Sequence, residues 1–283
     1  MLLKKNLLLF LFFIFSFFGI LSFYFFKIKP KKTAEAPKIS ILEPLVVYKK
    51  EETTVLGLSD ISKTNKDLKK ELNNILSPYQ NSVSLGVYFI DSNDSVKINP
   101  SYTYYFPQMI NLVMALSILE RVNKNSLSLD EYVQGIKVSQ HLNNLFALPN
   151  ESKKSREILK DFLEEDYLEK KVKEYGLNNT SISKNTTNVS DTILIWKNIY
   201  KRAYLDDNYT EYLLNLLSKI KDTSLISTKE PYFLLGNKEG SPKRSVLILG
   251  QSPYIVSVLT KDLSSVQAKI LFPRIFKVLN TSD

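Results

Sequence analysis

The stretch of sequence that decides the fold is residues 85–133, LGVYFIDSNDSVKINPSYTYYFPQMINLVMALSILERVNKNSLSLDEYV. It continues an apolar run, residues 83–90, that has the length of a buried strand, and a polar turn at 91–94 leads to a returning strand at 96–98. Residues 107–122 are apolar on nearly every face, which predicts a helix buried in the middle of a domain. The stretch therefore predicts a hairpin followed by a central helix.

The flanking sequence extends this order of elements in both directions. A helical pattern through Leu68, Leu72 and Leu76 precedes the hairpin and stops near Pro78. The predicted helices of the middle are residues 151–163, 167–175, 189–204 and 208–220. The predicted closing elements are strands at 232–237, 246–249 and 254–260 and a last helix at 266–279. The fold class is therefore predicted to be α+β.

The N-terminal segment is apolar enough to cross a membrane. Residues 7–26, which begin at Leu7 and end at Phe26, carry no charge, and a 20-residue helix spans a hydrocarbon core of ~30 Å. A cleaved signal peptide is disfavoured, because the only small-residue cleavage pattern, Ala34-Glu35-Ala36, lies beyond the flanking lysines. We predict a tail at 1–6, a transmembrane anchor at 7–26, a tether at 27–65 and a folded domain at 66–283.

The net charge of +9 does not indicate a nucleic-acid partner. No face rich in Arg or Lys and interleaved with aromatic residues follows the anchor, so we predict no nucleic-acid binding. Much of the excess comes from the lysines that flank the apolar segment, Lys4, Lys5, Lys27, Lys29, Lys31 and Lys32.

The chain has no cysteine and one histidine, His141. These counts exclude a thiol nucleophile and disulfides and argue against a dedicated zinc site. We therefore predict no metal and no cofactor. The pattern His141-Leu142-Asn143-Asn144 is typical of a polar turn, which predicts a surface or loop histidine.

The hairpin, Phe106 before the buried helix and the segment Leu127-Ser128-Leu129-Asp130 resemble the opening of the class A β-lactamase and penicillin-binding serine hydrolase family. The resemblance implies a β-lactamase/transpeptidase-like fold over residues 66–283, with a mainly antiparallel sheet flanked by helices on one side and a helical subdomain on the other. The later matches are Gly176-Leu177-Asn178-Asn179-Thr180, Asn185-Thr186-Thr187 before a helix, and Gly236-Asn237-Lys238-Glu239-Gly240 before two closing strands.

The first motif of that family is Ser-x-x-Lys at the start of the buried helix. There the Ser attacks a carbonyl, and the Lys, one turn later on the same helix face, helps to remove its proton. Aligned on Phe106, these two positions hold Gln108 and Asn111 in this chain. An amide is neither a nucleophile nor a base, so the resemblance implies that both functions are lost.

The other two motifs are also altered. Ser-Asp-Asn falls at Ser152-Lys153-Lys154, so the Ser is kept and Lys154 stands in place of the Asn. Lys-Thr-Gly becomes Lys238-Glu239-Gly240, and the Glu places a negative charge where the family docks the substrate carboxylate. The interval between Leu177 and Asn185 is also too short for the loop that carries the deacylating Glu of class A enzymes.

A displaced nucleophile would be an alternative source of activity. Two further Ser-x-x-Lys patterns occur, Ser181 with Lys184 and Ser218 with Lys221. Neither follows the hairpin, and such matches arise by chance in a chain this rich in Ser and Lys. We therefore do not predict either serine to be catalytic.

The resemblance and the substitutions together imply a membrane-anchored, catalytically inactive homologue. We expect the old cleft between Gln108, Ser152 and Lys238 to bind a peptidoglycan peptide or an envelope protein. Two alternatives stay open. One is an active β-lactam hydrolase or D-Ala-D-Ala peptidase with a displaced nucleophile, and the other is a tethered interaction module unrelated to cell-wall chemistry.

The location of the domain follows from the resemblance more than from the charges. Two lysines precede the apolar segment and four follow it. Under the positive-inside rule this difference weakly favours a domain on the cytoplasmic side. The resembled family works on the outer face of the cytoplasmic membrane. We therefore expect a single-pass protein of the cell membrane with an extracytoplasmic domain.

Overall fold

A computed structural model describes residues 65–147, 149–220, 231–236, 241–250 and 252–280. The predicted tail and anchor and nearly all of the predicted tether lie outside the described residues, so those assignments stay predictions. Within the described residues, no helix combines the length and the apolar composition needed to cross a bilayer.

The secondary structure follows the predicted order. The helices are α1 (Asn65–Leu76), α2 (Pro107–Asn123), α3 (Val138–Leu145), α4 (Pro149–Leu163), α5 (Glu165–Glu174), α6 (Val189–Tyr200), α7 (Asp207–Ser218) and α8 (Ser265–Asn280). The strands are β1 (Val83–Phe89), β2 (Ser95–Ile98), β3 (Tyr104–Tyr105), β4 (Tyr132–Val133), β5 (Ile136–Lys137), β6 (Thr186–Thr187), β7 (Pro231–Gly236), β8 (Lys243–Ile248) and β9 (Tyr254–Thr260). The two-residue strands and α3 are the elements that the sequence pattern did not predict.

The main sheet has five strands in the order β2-β1-β9-β8-β7, and each neighbouring pair is antiparallel. Strand β9, one of the last strands in the sequence, lies between β1 and β8, so the two ends of the domain share one sheet. This arrangement confirms the predicted α+β fold with a mainly antiparallel sheet flanked by helices.

The sheet separates two hydrophobic cores. Val83, Leu85 and Val87 point to one side, where they pack in a core formed with helices α1 and α8. The opposite side carries the helical subdomain, whose core includes all of the apolar buried residues of α2 and the buried face of α6. The molecule is therefore built in three layers, as the resemblance implied.

A row of small residues crosses the subdomain side of the sheet. Gly86 pairs with Ser257 and Ser257 pairs with Ser245, so the three lie side by side on β1, β9 and β8. Helix α6 lies against this row, because Thr192 Oγ1 donates to Ser257 Oγ at 2.7 Å and Trp196 Nε1 donates to Ser245 Oγ at 3.0 Å. Small side chains thus allow the helix to approach the sheet closely.

Helix α2 is buried along almost its whole length, as predicted. Pro107 occupies its first turn, where the missing backbone N–H has no intrahelical partner in any case. Its buried carboxylate, Glu120, accepts hydrogen bonds from Lys171 Nζ at 2.6 Å and from the Tyr175 hydroxyl at 2.7 Å. This charge is therefore paired inside the protein.

The prediction of a surface or loop position for His141 is wrong. The residue lies in α3 and is fully buried, with Nδ1 at 3.2 Å from Ser155 Oγ and Nε2 at 3.0 Å from the carbonyl oxygen of Val133. Val138, Leu142 and Leu145 recur at helical spacing and form the buried face, whereas the two neighbouring asparagines made the segment look like a turn.

The first prediction concerns the contact between the sheet and α6. A Cβ on Gly86 would lie 2.5 Å from Ile193 Cδ1 and 3.4 Å from Val189 Cβ. Gly86→Ala should lower the free energy of unfolding by about 1–3 kcal/mol, because overpacking a closed core forces neighbouring atoms to shift. Urea titration followed by circular dichroism measures the change.

Ile193→Val provides the control for that substitution, because it removes the methyl group nearest to the added Cβ. Gly86→Ala should therefore destabilise the Ile193→Val protein less than it destabilises the wild type. Equal losses in the two backgrounds would contradict the steric explanation.

The second prediction concerns the Glu120 cluster at alkaline pH. Burial raises the pKa of the Tyr175 hydroxyl above its ordinary value of 10.0, and the Glu120 carboxylate raises it further. Burial acts to lower the pKa of Lys171, but its hydrogen bonds to Glu120 and Glu174 outweigh burial and leave it above 10.5. Groups whose pKa is raised on folding stabilise the protein below the unfolded pKa, and that stability is lost as the pH rises through the folded pKa.

Tyr175→Phe should cost about 2 kcal/mol of unfolding free energy at pH 7, because it removes a hydrogen bond to a buried carboxylate. The difference from wild type should narrow as the pH rises above about 10, since the lost phenol is the group that titrates. Urea titrations at a series of pH values test this, with the exposed Tyr132→Phe as the matched control. A gap that stays constant with pH would contradict the assignment.

Candidate functional site

The candidate site lies at the N-terminal end of α2, where the resemblance placed the catalytic residues. The chain enters this helix through β3, which pairs with β6 in the register Tyr104 to Thr187 and Tyr105 to Thr186. The backbone N–H of Phe106 donates to the carbonyl oxygen of Asn185 at 2.8 Å. The loop before α6 therefore holds the start of α2 in place.

Asn111 is the centre of the site and is fully buried. Its Nδ2 donates to the carbonyl oxygen of Leu145 at 2.8 Å and to Ser152 Oγ at 2.9 Å. Its Oδ1 accepts a hydrogen bond from Arg156 Nη1 at 3.2 Å. Both amide hydrogens and the amide oxygen are used, so the side chain is fixed in one orientation.

Ser152 lies in the first turns of α4 and is buried. Its hydroxyl donates to the carbonyl oxygen of Leu145 at 2.8 Å and accepts from Asn111. The structure therefore brings together the predicted site positions Asn111 and Ser152, which are 41 residues apart in sequence. The hydroxyl proton of Ser152 is directed at a backbone carbonyl and not at a base.

Arg156 belongs to the site, and the sequence motifs did not identify it. Burial lowers the pKa of its guanidinium, while Tyr105 and Glu157 act in the opposite direction, and an Arg side chain stays charged at neutral pH. Among the described residues it forms no salt bridge. Its position four residues after Ser152, one helical turn away, was the signal that could have placed it on the same face.

Gln108, at the position of the family nucleophile, lies one turn before Asn111 and is partly buried. Its Oε1 is buried and accepts no hydrogen bond from the part of the chain that the structure describes. A buried amide oxygen without a donor is unfavourable, typically by about 1–3 kcal/mol. This acceptor is enclosed, so a ligand N–H would reach it only if the Gln108 side chain turned outwards.

Of the remaining predicted positions, one is described and does not join these hydrogen bonds, and three lie outside the described residues. Lys154 is exposed on α4, and no hydrogen bond or ion pair joins it to another described residue. Strands β7 and β8 pair Gly236 with Lys243, and the connection between them carries Lys238, Glu239 and Gly240. Those three positions lie outside the described residues, so their convergence on the cleft stays a prediction.

Among the described residues, neither serine of the displaced Ser-x-x-Lys patterns has its hydroxyl bonded to a lysine ammonium group. Ser181 Oγ lies 3.1 Å from Ser183 Oγ and 3.4 Å from the backbone nitrogen of Lys184, and no bond to the Lys184 ammonium group is found among the described residues. Ser218 is exposed at the end of α7 and donates to the carbonyl oxygen of Asn215 at 3.0 Å. Its partner Lys221 lies outside the described residues.

Among the described residues, this site pairs no nucleophile with a base. It offers one hydroxyl without a neighbouring base, two amides and one guanidinium, and nucleophilic catalysis requires an activated nucleophile. No group of His, Asp and Glu residues suited to a metal ion occurs within the described part of the chain. An anion and an N–H donor are the ligand groups that Arg156 and Gln108 would accept.

Comparison with known protein families finds a match that covers most of the described domain. A family described as a beta-lactamase enzyme family matches residues 66–141 and 155–279. The match covers Gln108, Asn111 and Arg156 and passes over the segment that carries Ser152. No curated protein sequence matches the chain.

Solved structures of several beta-lactamases have the same fold. A beta-lactamase from Chitinophaga pinensis superposes with a TM-score of 0.67 and 14% identity, over 77% of this chain and 100% of that one. A beta lactamase from Xanthomonas campestris gives 0.68 and 10%, over 78% and 99%. The TLA-1 extended spectrum beta-lactamase gives 0.66 and 16%, also over 78% and 99%.

The third prediction concerns Asn111. Asn111→Ala should lower the free energy of unfolding by about 2–4 kcal/mol, because it removes three hydrogen bonds and leaves buried groups without partners. Asn73→Ala, at an exposed position in α1, is the matched control and should change stability by less than about 0.5 kcal/mol. Thermal and urea unfolding measure both, and equal effects would show that the network around Asn111 contributes nothing to stability.

Proposed function

The chain belongs to the beta-lactamase enzyme family, and we propose that it is a catalytically inactive, membrane-anchored member that binds a cell-wall peptide through the old catalytic cleft. The proposal has three parts, which are the loss of catalysis, the nature of the ligand and the attachment to the membrane. Each part has its own support.

The loss of catalysis is carried by the hydrogen bonds of Asn111. Its amide stands where the family has a lysine, and it donates to Ser152 Oγ at 2.9 Å, so it cannot accept a proton from that hydroxyl. The serine proton is directed at the carbonyl oxygen of Leu145 at 2.8 Å. Gln108 occupies the position of the nucleophile and has no ionisable proton. At the two positions of the first motif, Gln108 and Asn111, the chain therefore has neither a nucleophile nor a base.

The nature of the ligand is supported by Arg156 and Gln108. A partly desolvated guanidinium attracts an anion more strongly than an exposed one, because the effective dielectric constant is lower there. The Oε1 of Gln108 has no donor among the described residues and would accept a ligand N–H group if the side chain turned towards the ligand. A peptide that ends in a carboxylate offers both groups, and the stem peptides of peptidoglycan are of that kind.

The attachment to the membrane is supported by the sequence alone. Residues 7–26 are uncharged and long enough to span a bilayer as a helix. The family membership favours an extracytoplasmic domain, where cell-wall peptides are found. The anchor would hold the binding cleft at the outer surface of the membrane.

The fourth prediction tests the loss of catalysis. The purified full chain, incubated with a fluorescent penicillin, should form no covalent adduct by gel fluorescence or intact mass, and it should not hydrolyse nitrocefin above the buffer rate. Ser152→Ala and Ser218→Ala should leave both readings unchanged. A class A β-lactamase run in parallel is the positive control. An adduct that Ser152→Ala abolishes would establish an active serine enzyme and overturn the proposal.

Ligand binding is measured separately by titrating a D-alanyl-D-alanine peptide into the full chain by calorimetry. Arg156→Gln should weaken binding by about tenfold or more, because a charge-assisted hydrogen bond contributes about 1.5–3 kcal/mol. Lys153→Gln, an exposed charge on the same helix, is the matched control. No binding by the wild type, together with capture of an envelope protein by crosslinking, would replace the peptide with a protein partner.

A further inference from the structure

The outer face of α8 exposes apolar side chains. Val266 is 69% exposed and Ile270 is 55% exposed, and the two lie one turn apart on the side of the helix away from the core. The rest of the helix follows the ordinary pattern, because its other large aliphatic and aromatic residues are buried against the sheet. They are the two exposed large aliphatic side chains of the described residues, and they are neighbours on one helix face.

The same face of α8 is basic. Lys269, Arg274 and Lys277 are exposed, and the sequence of the helix contains no acidic residue. No salt bridge of these three side chains is found within the described residues. At helical spacing, Lys269, Arg274 and Lys277 continue the face of Val266 and Ile270 towards the C-terminal end of the helix.

Helix α1 extends this face. It packs beside α8 in the same layer of the domain, and its exposed Lys66 and Lys70 lie on the side opposite to its buried residues. A groove of about 420 Å³ runs between the two helices. Its lining residues are Glu71, Asn74, Ile75, Arg274, Lys277 and Val278. We call this surface the α1/α8 face and define it by Lys66, Lys70, Val266, Lys269, Ile270, Arg274 and Lys277.

The predicted anchor precedes α1 in the sequence, with the predicted tether at 27–65 between them. Helix α1 begins at Asn65, and the uncharged apolar residues 7–26 lie in the sequence that precedes it. The helix nearest in sequence to the anchor is thus part of the exposed basic face. Asp67 and Glu71 are the acidic residues of α1, and they are outnumbered by the basic residues of the two helices.

We propose that the α1/α8 face docks on the anionic surface of the membrane that holds the anchor. Val266 and Ile270 enter the headgroup region, and the basic side chains contact lipid phosphates. Each Lys or Arg near an anionic surface strengthens binding by about fivefold, and salt weakens the attraction. The inference rests on the proposed membrane attachment.

Docking in this way fixes the orientation of the site. The α1/α8 layer and the helical subdomain cover opposite faces of the sheet. When the α1/α8 face lies on the bilayer, the layer that contains Asn111 and Ser152 points away from it. The candidate site then lies on the side of the sheet that faces away from the bilayer.

The absence of cysteine in the chain allows a site-specific test. The full chain carrying Val266→Cys is labelled with an environment-sensitive fluorophore and reconstituted into nanodiscs that contain phosphatidylglycerol and a nitroxide-labelled lipid. The label should be quenched several-fold more than in nanodiscs of phosphatidylcholine alone. The same label at Tyr132→Cys, 64% exposed in the helical subdomain, is the control and should not be quenched in either lipid.

Charge variants identify the source of the docking. A triple variant should reduce the quenching at position 266 to near the level seen with phosphatidylcholine alone; it combines Lys269→Gln, Arg274→Gln and Lys277→Gln. Added salt should reduce the quenching in the same way when these three residues are unchanged. The matched control removes three exposed lysines from other parts of the domain, Lys124, Lys173 and Lys201, and should leave the quenching unchanged.

The outcomes separate the docking from the anchor. A chain that floats with the lipid and resists alkaline extraction, but whose label at 266 is no more quenched than the control, overturns the docking and keeps the anchor. A chain that does not float with lipid overturns both. Shielding of the label that needs no anionic lipid and rises with protein concentration would assign the face to a second copy of the chain and overturn the membrane proposal.

Discussion

Helix α2 is buried on almost every side, and the partners of two of its polar side chains organise the domain around it. Asn111 is paired with groups at Leu145, Ser152 and Arg156, and Glu120 is paired with Lys171 and Tyr175. The partners come from α3, α4 and α5 and from the residue that follows α5. The polar residues of one helix thereby specify how the neighbouring helices dock.

The same helix carries the first two positions of the candidate site, so the packing of the core and the geometry of the cleft have one origin. The loop before α6 holds the start of α2 through the bond between Phe106 and Asn185, and α6 is seated on the sheet by the row of Gly86, Ser257 and Ser245. The small residues of the sheet therefore position α6. The loop before α6 in turn positions the start of α2, where the site lies. The start of α2 is therefore held by backbone pairing and by core packing.

Asn111 stands at the position where the resembled family has a lysine, and an amide suits this buried position. An amide has two donors and one acceptor and no charge, so it can be fully hydrogen-bonded in a buried position where an ammonium group would lie beside Arg156. The guanidinium then becomes the local positive charge. Its position suits recognition of an anion, since it is not next to an activated nucleophile.

The sequence by itself determined the order of the long helices and strands, the burial of α2 and the identity of the residues at the family positions, because these depend on periodicity and spacing along the chain. It did not determine that His141 is buried, since the face formed by Val138, Leu142 and Leu145 is short and its neighbours are asparagines. Only the tertiary structure joined Asn111 to Ser152 and brought in Arg156. Those contacts link separate helices, and the angle at which the helices pack is decided by side chains distant in sequence.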